Sequence, residues 1–104
     1  MTTSRQKAAG SAGERRVAGL LGGRRVGMDG GPIDVKVDGY LHVQVKTVAR
    51  LPSLALCRRH IDAIPKGDHI RASVIVERPG SGHIGRKFIV MDLDEFAGWH
   101  ADGS

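Results

Sequence analysis

Two runs of alternating residues around an Asp-Gly pair constrain this chain more than any other feature. In Ile33-Asp34-Val35-Lys36-Val37-Asp38 the apolar side chains recur at every second position, and in Leu41-His42-Val43-Gln44-Val45-Lys46 they do so again. A period of two marks a strand with one face against a core. Asp38-Gly39 between the runs favours a tight turn, since glycine reaches positive φ without steric cost. The pair reads as an antiparallel hairpin. Ile33, Val35, Val37, Leu41, Val43 and Val45 form its apolar face, and Asp34, Lys36, Asp38, His42, Gln44 and Lys46 its polar face.

Helical periodicity brackets this hairpin. Val17, Leu20 and Leu21 predict a helix over Ser11–Leu21, with Ser11 and Glu14 as a capping box and Gly22-Gly23 as its stop. Arg24 to Met28 reads as a short strand before a Gly30-Gly31-Pro32 turn. A second helix is expected over Ser53–Ile64, with Leu54, Cys57, Ile61 and Ile64 as its stripe and Arg58, Arg59 and Asp62 outward. Ala72 to Val76 reads as a buried strand, Arg78 to Gly85 as a glycine-rich connector, and Phe88 to Met91 as another strand. Asp92 or Asp94 then caps a terminal helix containing Leu93, Phe96, Ala97 and Trp99. The order α-β-β-β-α-β-β-α predicts an α/β fold, a central mixed sheet flanked by helices. At 104 residues the chain is expected to form one domain, with residues 1–10 and 101–104 loose.

Charge narrows the partners. Residues 1–27 hold Arg5, Lys7, Arg15, Arg16, Arg24 and Arg25 against one acid, Glu14, so this quarter accounts for the whole formal surplus of +5. Residues 28–104 balance. A basic end suits a polyanion: DNA, RNA or an anionic membrane surface. Four aromatic residues are too few for a base-stacking RNA platform. No apolar run is long enough for a membrane span, and the polar start does not read as a signal peptide, so a cytoplasmic location is expected. The lone Cys57 excludes an internal disulfide and reads as a core residue.

The polar hairpin face carries an acid, an amide and an amine. Gln44 and Lys46 share a face because they stand two apart, and the hairpin brings Asp34 toward them. Pro32-Ile33-Asp34 followed by Gln44-Val45-Lys46-Thr47 resembles the signature of the PD-(D/E)XK nuclease superfamily. Gly10-Ser11-Ala12-Gly13-Glu14-Arg15-Arg16 with Leu20-Leu21 resembles the first helix of its Holliday-junction resolvase branch. The likeness covers residues 7–47; beyond them only the order of elements agrees.

This resemblance implies a PD-(D/E)XK restriction-endonuclease-like core and a Mg2+ (or Mn2+) dependent endonuclease acting on DNA, preferably branched. Small phage-encoded endonucleases of this type have similar lengths, which points to the cytoplasm of a bacterial host. Asp34 is then the anchoring metal ligand, with the Gln44 side-chain oxygen, the Val45 carbonyl and Glu14 as further ligands. Such a hard cation takes oxygen donors. Glu14, Asp34, Gln44 and Lys46 form the catalytic set, Lys46 holding the attacking water or stabilising phosphate charge. Arg5, Lys7, Arg15, Arg16, Arg24, Arg25 and Thr47 would hold the DNA backbone. Symmetric cutting of two strands implies a homodimer, with the apolar faces of Phe88 to Trp99 as candidate contacts.

The departure is Gln44, which stands where the family places an acid and brings no negative charge. Two readings follow: an active endonuclease, or a catalytically degenerate nuclease fold kept as a DNA-binding module. A third, an interaction protein with an incidental basic end, predicts no salt-sensitive DNA binding. Glu14 also fits as a plain capping partner of Ser11. Lys36 and Asp38 read as a solvated pair, unless register lets Asp38 compensate for Gln44. His42 reads as a surface histidine or a proton shuttle.

Overall fold

A computed structural model describes residues 4–26, 31–78 and 85–101, with the backbone alone described for residues 4–11. The elements in chain order are α1 (Ser4–Leu21), β1 (Arg24–Arg25), β2 (Val35–Val37), β3 (Leu41–Val48), α2 (Leu54–Ala63), β4 (Ile70–Glu77), β5 (Lys87–Met91) and α3 (Leu93–Ala101). They build an α/β fold with one five-stranded mixed sheet in the order β1-β2-β3-β4-β5. Only β3 and β4 run parallel, with α2 as the crossover between them.

The hairpin forms, and its register, which the sequence leaves open, sets Val35 opposite Val43 and Val37 opposite Leu41. Tyr40 N–H donates to Val37 O at 3.0 Å across the turn. Gly39 takes a φ of +70°, a conformation its side-chain-free backbone reaches without strain. β3 extends two residues past the expected Lys46, because the parallel ladder to β4 continues to Val48 opposite Glu77.

The apolar face of the hairpin joins Ile70, Ala72, Val74 and Val76 of β4, and α1 covers it with Val17 and Ala18. α1 begins at Ser4, well before the expected Ser11 and through residues expected to be loose. Ser11 is thus interior to the helix, so the Ser11–Glu14 capping box is overturned. Leu20 also departs from expectation: it is exposed, because the sheet-facing side of α1 runs through Gly13, Val17 and Ala18.

The opposite face of the sheet is not an open polar surface. α2 packs there with Cys57, His60, Ile61 and Ile64 buried. Leu54, expected in that stripe, is exposed at the first turn. Ser53 is the N-cap, accepting from Leu56 N–H at 3.2 Å, and Asp92 caps α3 by accepting from Glu95 N–H at 3.1 Å. Trp99 packs against the core and meets Tyr40 edge to face at 5.9 Å, so it is not a free contact surface. Leu93 and Phe96 of that segment are exposed. The readings of Met28, of the turn at Gly30 and of the connector from Pro79 to Ile84 lie outside the described residues, as do residues 1–3 and 102–104.

Candidate functional site

Asp34 sits one residue before β2 and joins it to β3 twice. Its N–H donates to Val43 O at 2.9 Å, and its Oδ2 accepts from Val45 N–H at 2.8 Å. The carboxylate therefore replaces a main-chain rung where β2 stops. One carboxylate oxygen, Oδ2, is thus committed to β3. The N–H and C=O of one strand residue point to the same edge, so the Val45 carbonyl opens toward Asp34's side of β3. Asp34, Gln44, Val45 and Lys46 thus share one short stretch of sheet.

Glu14 reaches this stretch from α1. A Cβ built on Gly13 would collide with Thr47 Oγ1, so the absent side chain lets α1 lie against the end of β3. Glu14 Oε1 stands 3.7 Å from the Arg25 guanidinium. Burial raises the Glu14 carboxyl above its ordinary range, and the negative charge of Asp34 raises it further. Arg25 and Lys46 oppose that rise. Two acids and two cations therefore act on one another at this end of the sheet.

The buried polar atoms are informative. Gln44 Oε1, Thr47 Oγ1 and Arg25 Nε are each buried without a hydrogen-bond partner in the protein. A buried acceptor without a donor costs about 1–3 kcal/mol, and a bound cation or donor removes that cost. Gln44 Oε1 lies on the face of β3 covered by α2, opposite Ser73 of β4. Below it, His60 Nδ1 and Ser73 Oγ form a buried hydrogen bond of 2.9 Å. Burial and the charge of Lys46 hold the His60 imidazole below its ordinary value, with Asp34 opposing. The sequence reading missed His60. Its signal was its spacing, three residues after Cys57 on the buried stripe.

Lys46 and the exposed Arg15 and Arg16 are open to solvent, and Thr47 is half-buried. Arg5 and Lys7 lie on the described backbone of α1. The Arg24 guanidinium donates to Asp38 Oδ1 at 3.0 Å, in a pair whose two side chains are both largely exposed. This contact overturns the Lys36–Asp38 pair, because the β1–β2 register puts Arg24 opposite Lys36 and within reach of the turn. Asp38 cannot compensate for Gln44, since it lies at the turn end of the hairpin and Gln44 toward the other. His42 is no plain surface residue. It stacks on His69 with ring centroids 3.6 Å apart, and its Nδ1 is buried and unpartnered.

Among the described residues no group of three His, Cys, Asp or Glu side chains gathers as a metal site. Glu14 and Asp34 act on one another at this end, Gln44 beside them carries no charge, and Glu77 ends β4 opposite Val48. No helix among the described residues is long and apolar enough to cross a membrane. The chain matches no protein-family model, no curated protein and no solved structure.

Proposed function

We propose that this protein is a metal-dependent DNA endonuclease with a PD-(D/E)XK-type core, acting on branched DNA. The observation that carries the reading is Asp34 bonded to Val45 N–H beside Gln44 and Lys46, with Glu14 acting on the same carboxylate from α1. The order helix, three antiparallel strands, helix and parallel strand supports the same reading.

The residues fit a hard divalent cation such as Mg2+ or Mn2+. All donors are oxygens, and Gln44 Oε1 is a buried acceptor without a partner. Asp34 Oδ1, Gln44 Oε1, the Val45 carbonyl and Glu14 would hold the ion. Such an ion polarises a phosphoryl oxygen and acidifies a water. The chain's own residues do the remaining work. The bond from Val45 N–H fixes the Asp34 carboxylate before substrate arrives. The Lys46 ammonium binds the scissile phosphate or holds the attacking water by charge-assisted hydrogen bonds. Arg25 neutralises the second acid, Glu14. Arg15, Arg16 and the α1 residues Arg5 and Lys7 hold the flanking backbone, whereas the Thr47 hydroxyl is buried against α1 and takes no part. Symmetric cleavage of a junction then calls for two copies.

The test uses Asp34→Ala and Lys46→Ala beside wild type. Each is expected to lower cleavage by roughly 10²-fold or more while DNA binding persists. Cleavage at the wild-type rate by both variants would remove the reading. One observation favours a second reading, a DNA-binding module that has lost catalysis: Gln44 leaves the site with two acids instead of three. On that reading wild type binds without cutting, and Gln44→Glu restores activity.

A further inference from the structure

The topology sorts the connections between two ends of the sheet. Those from β1 to β2, from β3 to α2 and from β4 to β5 leave the end where Asp34 and Lys46 lie. The β2–β3 turn, the α2–β4 connection and the step from β5 into α3 lie at the far end. The even charge balance of residues 28–104 conceals this division. Asp38, Asp68, Asp92, Asp94 and Glu95 fall at the far end, whereas Asp34 and Glu77 are the acids of this stretch described at the site end.

At the site end three arginines stand at neighbouring strand ends, Arg50 after β3 and Arg78 and Arg86 at the two ends of the β4–β5 connection. Arg78 N–H donates to Val48 O at 2.8 Å, which seats Arg78 beside Ala49 and close to Arg50. Glu77 N–H donates to Arg86 O at 3.0 Å, which seats Arg86 on the next strand across. All three are exposed, and none enters an ion pair among the described residues. The Arg86 guanidinium lies 5.2 Å over the Phe88 ring, a contact that steadies the cation at the strand end.

We propose that Arg50, Arg78 and Arg86 form a phosphate-binding row that lays the backbone of duplex DNA across the sheet end, leading it to Asp34 and Lys46. Neighbouring strands stand about 4.8 Å apart, so these arginines cover roughly 10 Å. The whole end from Arg25 on β1 to Arg86 just before β5 covers about 19 Å. That is the length of five to six base pairs at about 3.4 Å each. A linear row of cations matches a linear polyanion better than a single phosphate, which would need donors converging on one point. The inference rests on the nuclease reading and extends it to residues outside the basic first quarter.

The experiment is a fluorescence-anisotropy titration of labelled four-way-junction and duplex DNA at several salt concentrations, in chelator. Wild type is compared with Arg50→Gln/Arg78→Gln/Arg86→Gln and with a control of equal charge change on and just after α2, Arg58→Gln/Arg59→Gln/Lys66→Gln. Each lost phosphate contact lowers the slope of log K against log salt by about 0.9. The site-end variant should therefore lose about 2.7 of slope, and the α2 control should keep the wild-type value. The three Arg→Lys replacements should restore the slope, which separates lost charge from lost folding. An unchanged slope in the site-end variant, or an equal loss in the control, overturns the row. If wild type still cuts in that case, the nuclease reading stands without the row. If wild type shows no salt-sensitive DNA binding, both fall.

Discussion

Replacing Glu95 by alanine should destabilise the fold strongly while leaving the chemistry of the site intact. Glu95 on α3 accepts from Arg71 N–H at 2.8 Å and from Arg71 Nε at 3.0 Å. Arg71 on β4 also donates to the carbonyls of Ile61 and Ile64, at 3.3 and 3.1 Å. One guanidinium thereby ties the end of α2, the start of β4 and the start of α3. The Arg71 side chain is only 9% exposed and that of Glu95 21%, so solvent replaces little of what is lost. Two bonds involving a charged group contribute about 1.5–3 kcal/mol each, and removing one partner of a buried pair costs about 3–5 kcal/mol. Arg71 keeps its two carbonyl acceptors, which sets the expectation near the lower bound, about 3 kcal/mol. For a domain of this size that is a fall in Tm of roughly 12–20 °C. Glu95→Gln retains an acceptor and should lose about half as much. Urea unfolding at constant m-value measures both changes. Well below the lowered Tm, Glu95→Ala should bind and cut DNA as wild type does, because the pair lies at the far end of the sheet. A loss under about 0.5 kcal/mol would refute the reasoning, since it would mean that Arg71 is not relying on Glu95.

Three further outcomes are expected. Burial, with His69 and Lys36 nearby and Asp38 opposing, holds His42 down to about 4 from 6.5. The unfolded chain therefore binds a proton that the folded chain refuses. Stability should rise with pH from about 4 to 6.5, by about 1–2 kcal/mol after solvent screening, and His42→Gln should flatten that rise in urea titrations across the window. Gly13→Ala should cost about 1–2 kcal/mol despite better helix propensity, and Thr47→Ala should rescue it, because the new methyl meets Thr47 Oγ1; a double-mutant cycle with no coupling would contradict this. Gln44→Glu should lower Tm without metal, by crowding a third carboxylate beside Asp34 and Glu14, and raise it above wild type in millimolar Mg2+, as a thermal melt with and without chelator would read.

The hairpin was the most legible part of the fold, because alternation and the Asp-Gly turn mark its two strands and its buried face, although they leave the register open. The strand after α2 was legible for the same reason: a continuous apolar run signals a strand covered on both sides. Helix boundaries were less so. α1 starts before its apolar stripe does, and a polar first half leaves no periodic signal. Leu20 and Leu54 were placed in the core by spacing, yet a helix touches a sheet along a narrow line and both fall outside it. At the site, Asp34, Gln44 and Lys46 could be brought together from period and turn alone. That Asp34 bonds Val45 N–H could not, because it depends on where β2 stops. His60 and Ser73 were invisible as a pair, being contributed by different elements. The arginine row was hidden by averaging: charge counted along the chain balances, whereas loops returning to one end of a sheet do not.

The central claim is tested most directly by incubating wild type with labelled four-way-junction, flap and linear duplex DNA in Mg2+, in Mn2+ and in chelator, with Asp34→Ala alongside. Wild type is expected to cut in metal alone, most strongly on the junction, and Asp34→Ala not at all. Binding of the junction with no cutting under either metal would contradict the claim.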